Sequence, residues 1–260
     1  MWGVQFPDGA EGPARSYSGS VPTVRDEAIC LRQLEWSETS QVVTLFGRET
    51  GVVRAVAKGA RRDKGAHSGG VEVLTRGEMV AILKSSGAMA TLTAWDLLDP
   101  LPRLRRSLGA HYAALYLADA TQRGLSEVDP HPGLYDALVE ALSGLGGGEP
   151  ADAAISLRYL WTLLEEIGYR PDLGAGTAAP IVWFDPGAGR IAPSGAAGAW
   201  KVRAPTVEAL RRVARAEPAD PDATIRALRL LDAYLTHLLG RPLPAAEAFF
   251  GPGGPGHAPV

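Results

Sequence analysis

Between residues 23 and 99 the apolar positions come in short, alternating runs broken by polar or glycine-bearing turns. Runs at 28–34, 41–46, 52–56, 71–74 continuing through 78–83, and 89–95 follow one another at roughly ten-residue spacing. With no helical period among them, they predict five strands closing into a small antiparallel barrel of OB-fold size. Pro100 and Pro102 mark a change of period. Leu104, Leu108, His111, Leu115 and Ala118 recur three and four apart and predict an amphipathic helix over 103–122. Similar spacing predicts helices over 132–145, ended by Gly146–Gly148, and over 153–167, ended by Gly168. Segment 171–204 is rich in Gly, Ala and Pro and holds one strand-like run, 181–184, before a turn at Asp185-Pro186-Gly187. Helices resume over 206–216, with Thr206 as cap, and over 223–239. The chain thus divides into an extension (1–22), a barrel (23–99), a helical domain in two parts (100–170 and 205–245) around segment 171–204, and a tail (246–260). From Gly251 the tail is expected to be disordered.

Composition narrows the class. Hydrophobic residues make up 46% of the 260, charged residues 21%, and the net charge is -3, so the chain should be globular, with no overall attraction to nucleic acid. Any such attraction must be local. The 31 glycines and 20 prolines follow no period. Cys30 is the only cysteine, which excludes an intramolecular disulfide and a cysteine-built metal site, and its apolar run suits a small core residue. No basic start precedes an apolar stretch, and no run reaches the ~20 apolar residues of a membrane span, so a cytoplasmic protein is expected.

Positive charge concentrates where the third predicted strand ends. Arg54, Lys58, Arg61, Arg62 and Lys64 face a single acid, Asp63, and Gly59, Gly65, Gly69 and Gly70 keep the loop open. A solvated hairpin tip would look the same by charge alone. A basic loop leaving a barrel strand is also a way to hold phosphates beside a sheet, and Arg32 and Arg48 can adjoin it. Base stacking accompanies such charge; Trp36, in a polar turn, is the candidate, whereas Phe46 lies in an apolar strand and suits the core. A second basic set lies on the helices: Arg103, Arg105 and Arg106, then the patch Arg211, Arg212 and Arg215, then Arg226 and Arg229. Two glycine strings, at 174–179 and 187–192, lack the strand–helix context of a dinucleotide site. No Walker loop, nucleophile elbow or carboxylate cluster is present, so no catalytic residue is assigned and the protein is not expected to be an enzyme.

The ordered set Glu38-Thr39-Ser40, Leu45-Phe46-Gly47-Arg48-Glu49-Thr50-Gly51, Ala57-Lys58-Gly59-Ala60-Arg61-Arg62 and Leu163-Leu164-Glu165-Glu166-Ile167-Gly168-Tyr169-Arg170-Pro171-Asp172-Leu173 resembles the RecO family of recombination mediators over residues 23–245. The resemblance implies an α+β architecture, an N-terminal five-stranded OB-fold followed by an α-helical domain with an inserted zinc-ribbon-like subdomain. It also implies binding to single- and double-stranded DNA, annealing of complementary strands, and partnership with RecR and single-stranded DNA-binding protein in recombinase loading. One departure is specific. Two Cys-x-x-Cys pairs of the family would fall at Gly176 and Ala179, and at Ala192 and Gly195, none of which can ligate a metal. The five histidines are scattered. A zinc-free subdomain without cofactor is therefore expected, with Trp183, Phe184, Ile191 and Trp200 packing on the helices in place of the metal. Two other functions stay open: a scaffold that bridges repair partners without holding DNA, and an enzyme with a pocket in the helical domain.

Overall fold

The computed structural model describes residues 22–60, 67, 70–84, 88–176 and 179–251. Residues 1–21 of the N-terminal extension, Arg61, Arg62 and Lys64, and the tail beyond Gly251 lie outside the described residues.

Strands β1 (Thr23–Glu35), β2 (Gln41–Gly47), β3 (Gly51–Ala57), β4 (Arg76–Ile82) and β5 (Ala90–Asp99) form a closed barrel in the order β1-β2-β3-β5-β4. β1 is long enough to serve two partners. Its first half pairs with β4 (Thr23 opposite Ile82 through Ile29 opposite Arg76), and from Ala28 onward it pairs with β2 (Ala28 opposite Gly47 through Glu35 opposite Gln41), with a register shift between Cys30 and Arg32 inside that pairing. A short parallel pairing of β3 with β5, Ala55–Ala57 against Ala90–Leu92, closes the barrel. The alternation that predicted strands also sorts their side chains. Cys30, Val43, Leu45, Val53, Ala55, Met79, Leu92 and Trp95 fill the interior. Burial pushes the Cys30 thiol up to about 12, which suits a core residue rather than a reactive thiol.

Residues 71–74, expected as strand, are not one. Leu74 takes a positive φ of 58°, its N–H donates to the Cys30 carbonyl, and the Cys30 N–H donates to the Thr75 carbonyl. The segment therefore docks on the irregular point of β1 instead of extending β4.

A single 3-10 turn (Pro102–Arg105) leads into α1 (Leu108–Gly124), whose cap Ser107 accepts from the Ala110 N–H. α2 (Pro132–Gly144) and α3 (Glu149–Glu166) follow, then α4 (Ala204–Ala214), α5 (Pro221–Leu239) and a short α6 (Ala246–Phe250) that the sequence pattern did not predict. Between α3 and α4 lies a three-stranded antiparallel sheet in the order β7 (Arg190–Ala192), β6 (Ile181–Asp185), β8 (Trp200–Arg203). Its inward face buries Val182, Phe184 and Val202. Phe184 meets Tyr234 edge-on at 5.2 Å, Trp200 meets His237 at 6.2 Å, and Ile191 packs on the same core. The expectation for Trp183 needs correcting. Strand alternation turns it to the opposite face, where the Lys201 ammonium sits 5.2 Å from its ring.

Barrel and helices share one core. Ile29, Leu31, Phe46 and Val52, on the outer side of β1–β3, belong to the same buried cluster as α1, α2, α3 and α5. Phe46 packs edge-on against Tyr135 of α2 at 5.7 Å, and the Tyr135 hydroxyl donates to Glu27, 2.9 Å away, which also pairs with Arg76 at 3.0 Å. Burial and the Glu27 carboxylate both raise the Tyr135 phenol's pKa.

Candidate nucleic-acid interface

The register across β1, β2 and β3 sets Arg32 opposite Thr44 and Thr44 opposite Arg54. Residues directly opposite in antiparallel strands share a face, so two arginines flank a buried threonine in one row on the barrel's outer surface. Beside it runs an apolar row, Leu34 opposite Val42 opposite Val56, and Val56 continues to Thr91 of β5. On the other side of the arginine row, Phe46 and Val52 are already covered by the helices. The part of this face that lies outside the core shared with the helices is therefore a cationic row, with Thr44 buried between its arginines, next to an apolar one.

At the open end, Glu35, Gln41 and Ala57 are in register, so the β1–β2 turn carrying Trp36 and the exit of β3 carrying Lys58 lie at the same end of the ribbon. Trp36 is 70% exposed, far outside any core, while its N–H bonds the Ser40 carbonyl and fixes the turn. Lys58 is exposed and forms no ion pair with a described acid. Arg32 is exposed as well; Arg54 reaches to 3.7 Å from the Glu127 carboxylate while staying half exposed. The structure thus gathers Arg32, Arg54, Lys58 and Trp36 on one face and edge of the barrel. It describes nothing of Arg61, Arg62 or Lys64, which continue from Lys58.

Two expected members belong elsewhere. Arg48, in the β2–β3 turn, gives a two-pronged hydrogen bond to Asp136 of α2 (Nε to Oδ1 3.0 Å, Nη2 to Oδ2 2.8 Å) and a third bond to Glu49 at 2.8 Å. Its fork matches the carboxylate, so it fastens barrel to helices rather than facing a ligand. That hydrogen bond holds the Asp136 carboxyl below its ordinary range. Arg211 is a structural clamp too. Its side chain is only 12% exposed and donates to the carbonyls of Leu173 and Ala175, at 2.7 and 2.9 Å, tying the chain after α3 to α4. Arg212 lies 3.8 Å from Glu217; Arg215, at the end of α4, is exposed. Of the remaining helical arginines, Arg103 donates to the Ser143 carbonyl, Arg105 pairs with Glu72, Arg229 donates to the Phe250 carbonyl, and Arg226 has a buried Nε. As a patch, Arg211, Arg212 and Arg215 are mostly engaged with the protein itself.

The family's zinc positions do not fit a metal. Gly176 and Ala179 lie in an exposed loop, Ala192 ends β7, and Gly195 follows in a left-handed turn. None has a side-chain donor, and among the described residues no group of three or more His, Cys, Asp or Glu could hold an ion. No described helix is long and apolar enough to cross a membrane. A cleft of ≈ 370 Å³ opens where α1, α3 and α5 end, lined by Leu125, Ile167, Leu235 and Leu238 with Asp129, His131 and Glu166. There His131 bonds Glu166 at 2.9 Å and lies 3.4 Å from Asp129, which fastens the start of α2 to the end of α3. Among the described residues no hydrogen bond joins it to a hydroxyl or thiol.

Comparison with known families resolves the kinship. Residues 21–101 match the family model described as Recombination protein O N terminal, and residues 105–247 match the model described as Recombination protein O C terminal. The chain belongs to the RecO family. Its similarity to individual RecO proteins runs nearly end to end. A protein of Anaeromyxobacter sp. (strain K) named DNA repair protein RecO is 31% identical over 249 residues, covering 89% of this chain and 97% of its own length. Its namesake in Anaeromyxobacter dehalogenans (strain 2CP-1) is 32% identical over 244 residues, covering 87% and 95%. A Rhodopirellula baltica RecO is 33% identical over 144 residues, about half of each chain (55% and 53%).

Proposed function

We propose that this chain is a DNA repair and homologous recombination mediator that binds single- and double-stranded DNA and anneals complementary strands without catalytic chemistry. The observation that carries the reading is the RecO-family match over both halves, joined to a barrel face that sets Arg32 and Arg54 in one row, with Lys58 and Trp36 at its end. Cations along that row neutralise phosphates and release counterions, and an exposed indole stacks on an unpaired base. Two strands held on basic surface repel each other less, and pairing can nucleate. With RecR and single-stranded DNA-binding protein as partners, the protein would clear a strand for recombinase loading. We also read the β6–β8 sheet as folding without zinc, on the strength of its aromatic packing against α5.

The test is annealing of complementary single strands across a salt series, for the native chain and for Lys58→Glu/Arg61→Glu/Arg62→Glu. The triple variant should lose annealing and show a shallower dependence of binding on salt. Native-like annealing by the variant would remove the DNA from the barrel loop. The second reading, a scaffold that bridges repair partners without holding DNA, is favoured by one feature: Arg48 and Arg211 are spent on intramolecular bonds in a chain of net charge -3. It requires negligible DNA binding by the native chain even at low salt.

A further inference from the structure

The small sheet between α3 and α4 has an outward face that no role above uses. Strand register places Ala192, Trp183 and Lys201 in one row across β7, β6 and β8, with Ile181 and Arg203 in the next. The opposite face is consumed by packing on α5, so these side chains are the ones the alternation leaves to solvent. Lys201, Arg203 and Arg190 are all exposed, none pairs with a carboxylate among the described residues, and Ile181 is exposed beside them. The first turn of α4 begins directly after Arg203, bringing its positive end to the same corner. Two acids flank Arg190, Asp185 directly opposite it on this same outward face and Asp172 on its other side, and both accept bonds within turns: Asp185 from the N–H groups of Gly187 and Ala188, and Asp172 from the Gly174 N–H.

We infer that this face is a second contact for single-stranded nucleic acid, built from Trp183 as stacking platform and Lys201 and Arg203 as phosphate contacts. A partly uncovered indole with the Lys201 ammonium 5.2 Å from its ring and the exposed Arg203 beside it, neither cation paired with a carboxylate among the described residues, is a combination that unpaired bases and their backbone recognise together. A duplex keeps its bases stacked inside and offers nothing to the ring. An acidic peptide would use the cations but leave the indole without a partner. The inference rests on the proposed DNA reading and adds to it: annealing needs two strands held at once, and a site apart from the barrel supplies the second hold.

The experiment uses the full chain and a fluorescent oligothymidine of about 15 nucleotides, a length on the scale of one OB-fold footprint. Binding is followed by anisotropy in the native protein, in Lys58→Glu/Arg61→Glu/Arg62→Glu, in Lys201→Glu/Arg203→Glu, and in the combination. Binding should persist, weakened, in the barrel variant and disappear in the combination. Trp183→Ala should weaken it by roughly tenfold, and Trp183→Phe should restore most of it. A 5-bromodeoxyuridine oligonucleotide should photocrosslink to the peptide that contains Trp183. The exposed charge reversals leave the packed face untouched, and matching melting curves would certify their fold. If the native chain binds while the Lys201/Arg203 and Trp183 variants bind equally well, the second site is refuted and the barrel reading stands. If the native chain does not bind at low salt, both fall. Displacement of the oligonucleotide from the barrel variant by polyglutamate as readily as by unlabelled oligothymidine would also overturn the assignment, because it would make the face a general anion site.

Discussion

At Gly51 the barrel comes close to the backbone of the loop after α1, and Gly51→Ala measures how firmly the two are seated. Its φ is +71°, and a Cβ there would stand 2.1 Å from the Asp129 carbonyl oxygen, which belongs to backbone and cannot swing aside. The left-handed conformation alone costs a non-glycine residue roughly 1–2 kcal/mol. Relieving the collision means lifting the loop after α1 from β3, which breaks the 2.9 Å bond from the Val128 N–H to the Val52 carbonyl. That loss adds about 1 kcal/mol, before any loosening of the packing around Val52 and Phe46. The sum, about 3 kcal/mol, corresponds in a chain of this size to a fall in Tm of roughly 6–12 °C. Gly240 supplies the control: it has nearly the same φ, +69°, with no atom within 4 Å of a built Cβ. Gly240→Ala should show the conformational cost alone. Thermal melts of the two variants side by side decide the matter. Equal losses would mean that the contact with Asp129 carries no energy and that the barrel is not held there.

Other outcomes follow from the described contacts. Asp136→Asn removes a carboxylate whose pKa the Arg48 hydrogen bond depresses, so the native chain should outlast the variant above about pH 4 and lose that advantage as pH falls through the folded-state pKa. Chemical denaturation at a series of pH values checks it, and a constant difference down to strongly acid conditions would contradict the pairing. Arg211→Ala should lower stability by about 1 kcal/mol, because the part-buried bond to the Leu173 carbonyl and the exposed bond to the Ala175 carbonyl are lost, while the salt dependence of oligonucleotide binding stays as in the native chain. A changed salt slope would return Arg211 to the nucleic-acid surface. Protein produced with zinc in the medium should contain no stoichiometric metal, and a chelator should leave its melting temperature in place; bound zinc would end the zinc-free reading of the small sheet.

The barrel was legible because period-two alternation and glycine-bearing turns are local signals, and they located all five strands. Residues 71–74 misled because a β-branched run looks alike whether it pairs in a ladder or docks on an irregular strand; only the bonds to Cys30 and Thr75 distinguish the two. β7 and β8 span three and four residues, too short for a period to register among Ala, Gly and Pro, and α6 is equally brief. Phe46 was correctly placed in a core by its apolar neighbours, though the core proved to be the one shared with α2. Arg48 and Arg211 show the limit of reading charge along a chain. Their partners, Asp136 and the carbonyls of Leu173 and Ala175, are remote in sequence, so nothing nearby distinguishes a clamp from a free cation. Trp183 could have been placed by parity, since an inward Val182 and Phe184 leave it facing out.

The shared core has a consequence for how this molecule can be taken apart. Ile29, Leu31, Phe46 and Val52 are buried in a cluster they share with the helices rather than in the barrel's own interior. A barrel expressed alone would carry these side chains into water as one contiguous oily patch beside its cationic row, and copies of it would bind one another there. Barrel and helices should therefore unfold as a single cooperative unit, giving one transition in a thermal melt. The family models meet at the 3-10 turn, but that seam divides the sequence and not the fold.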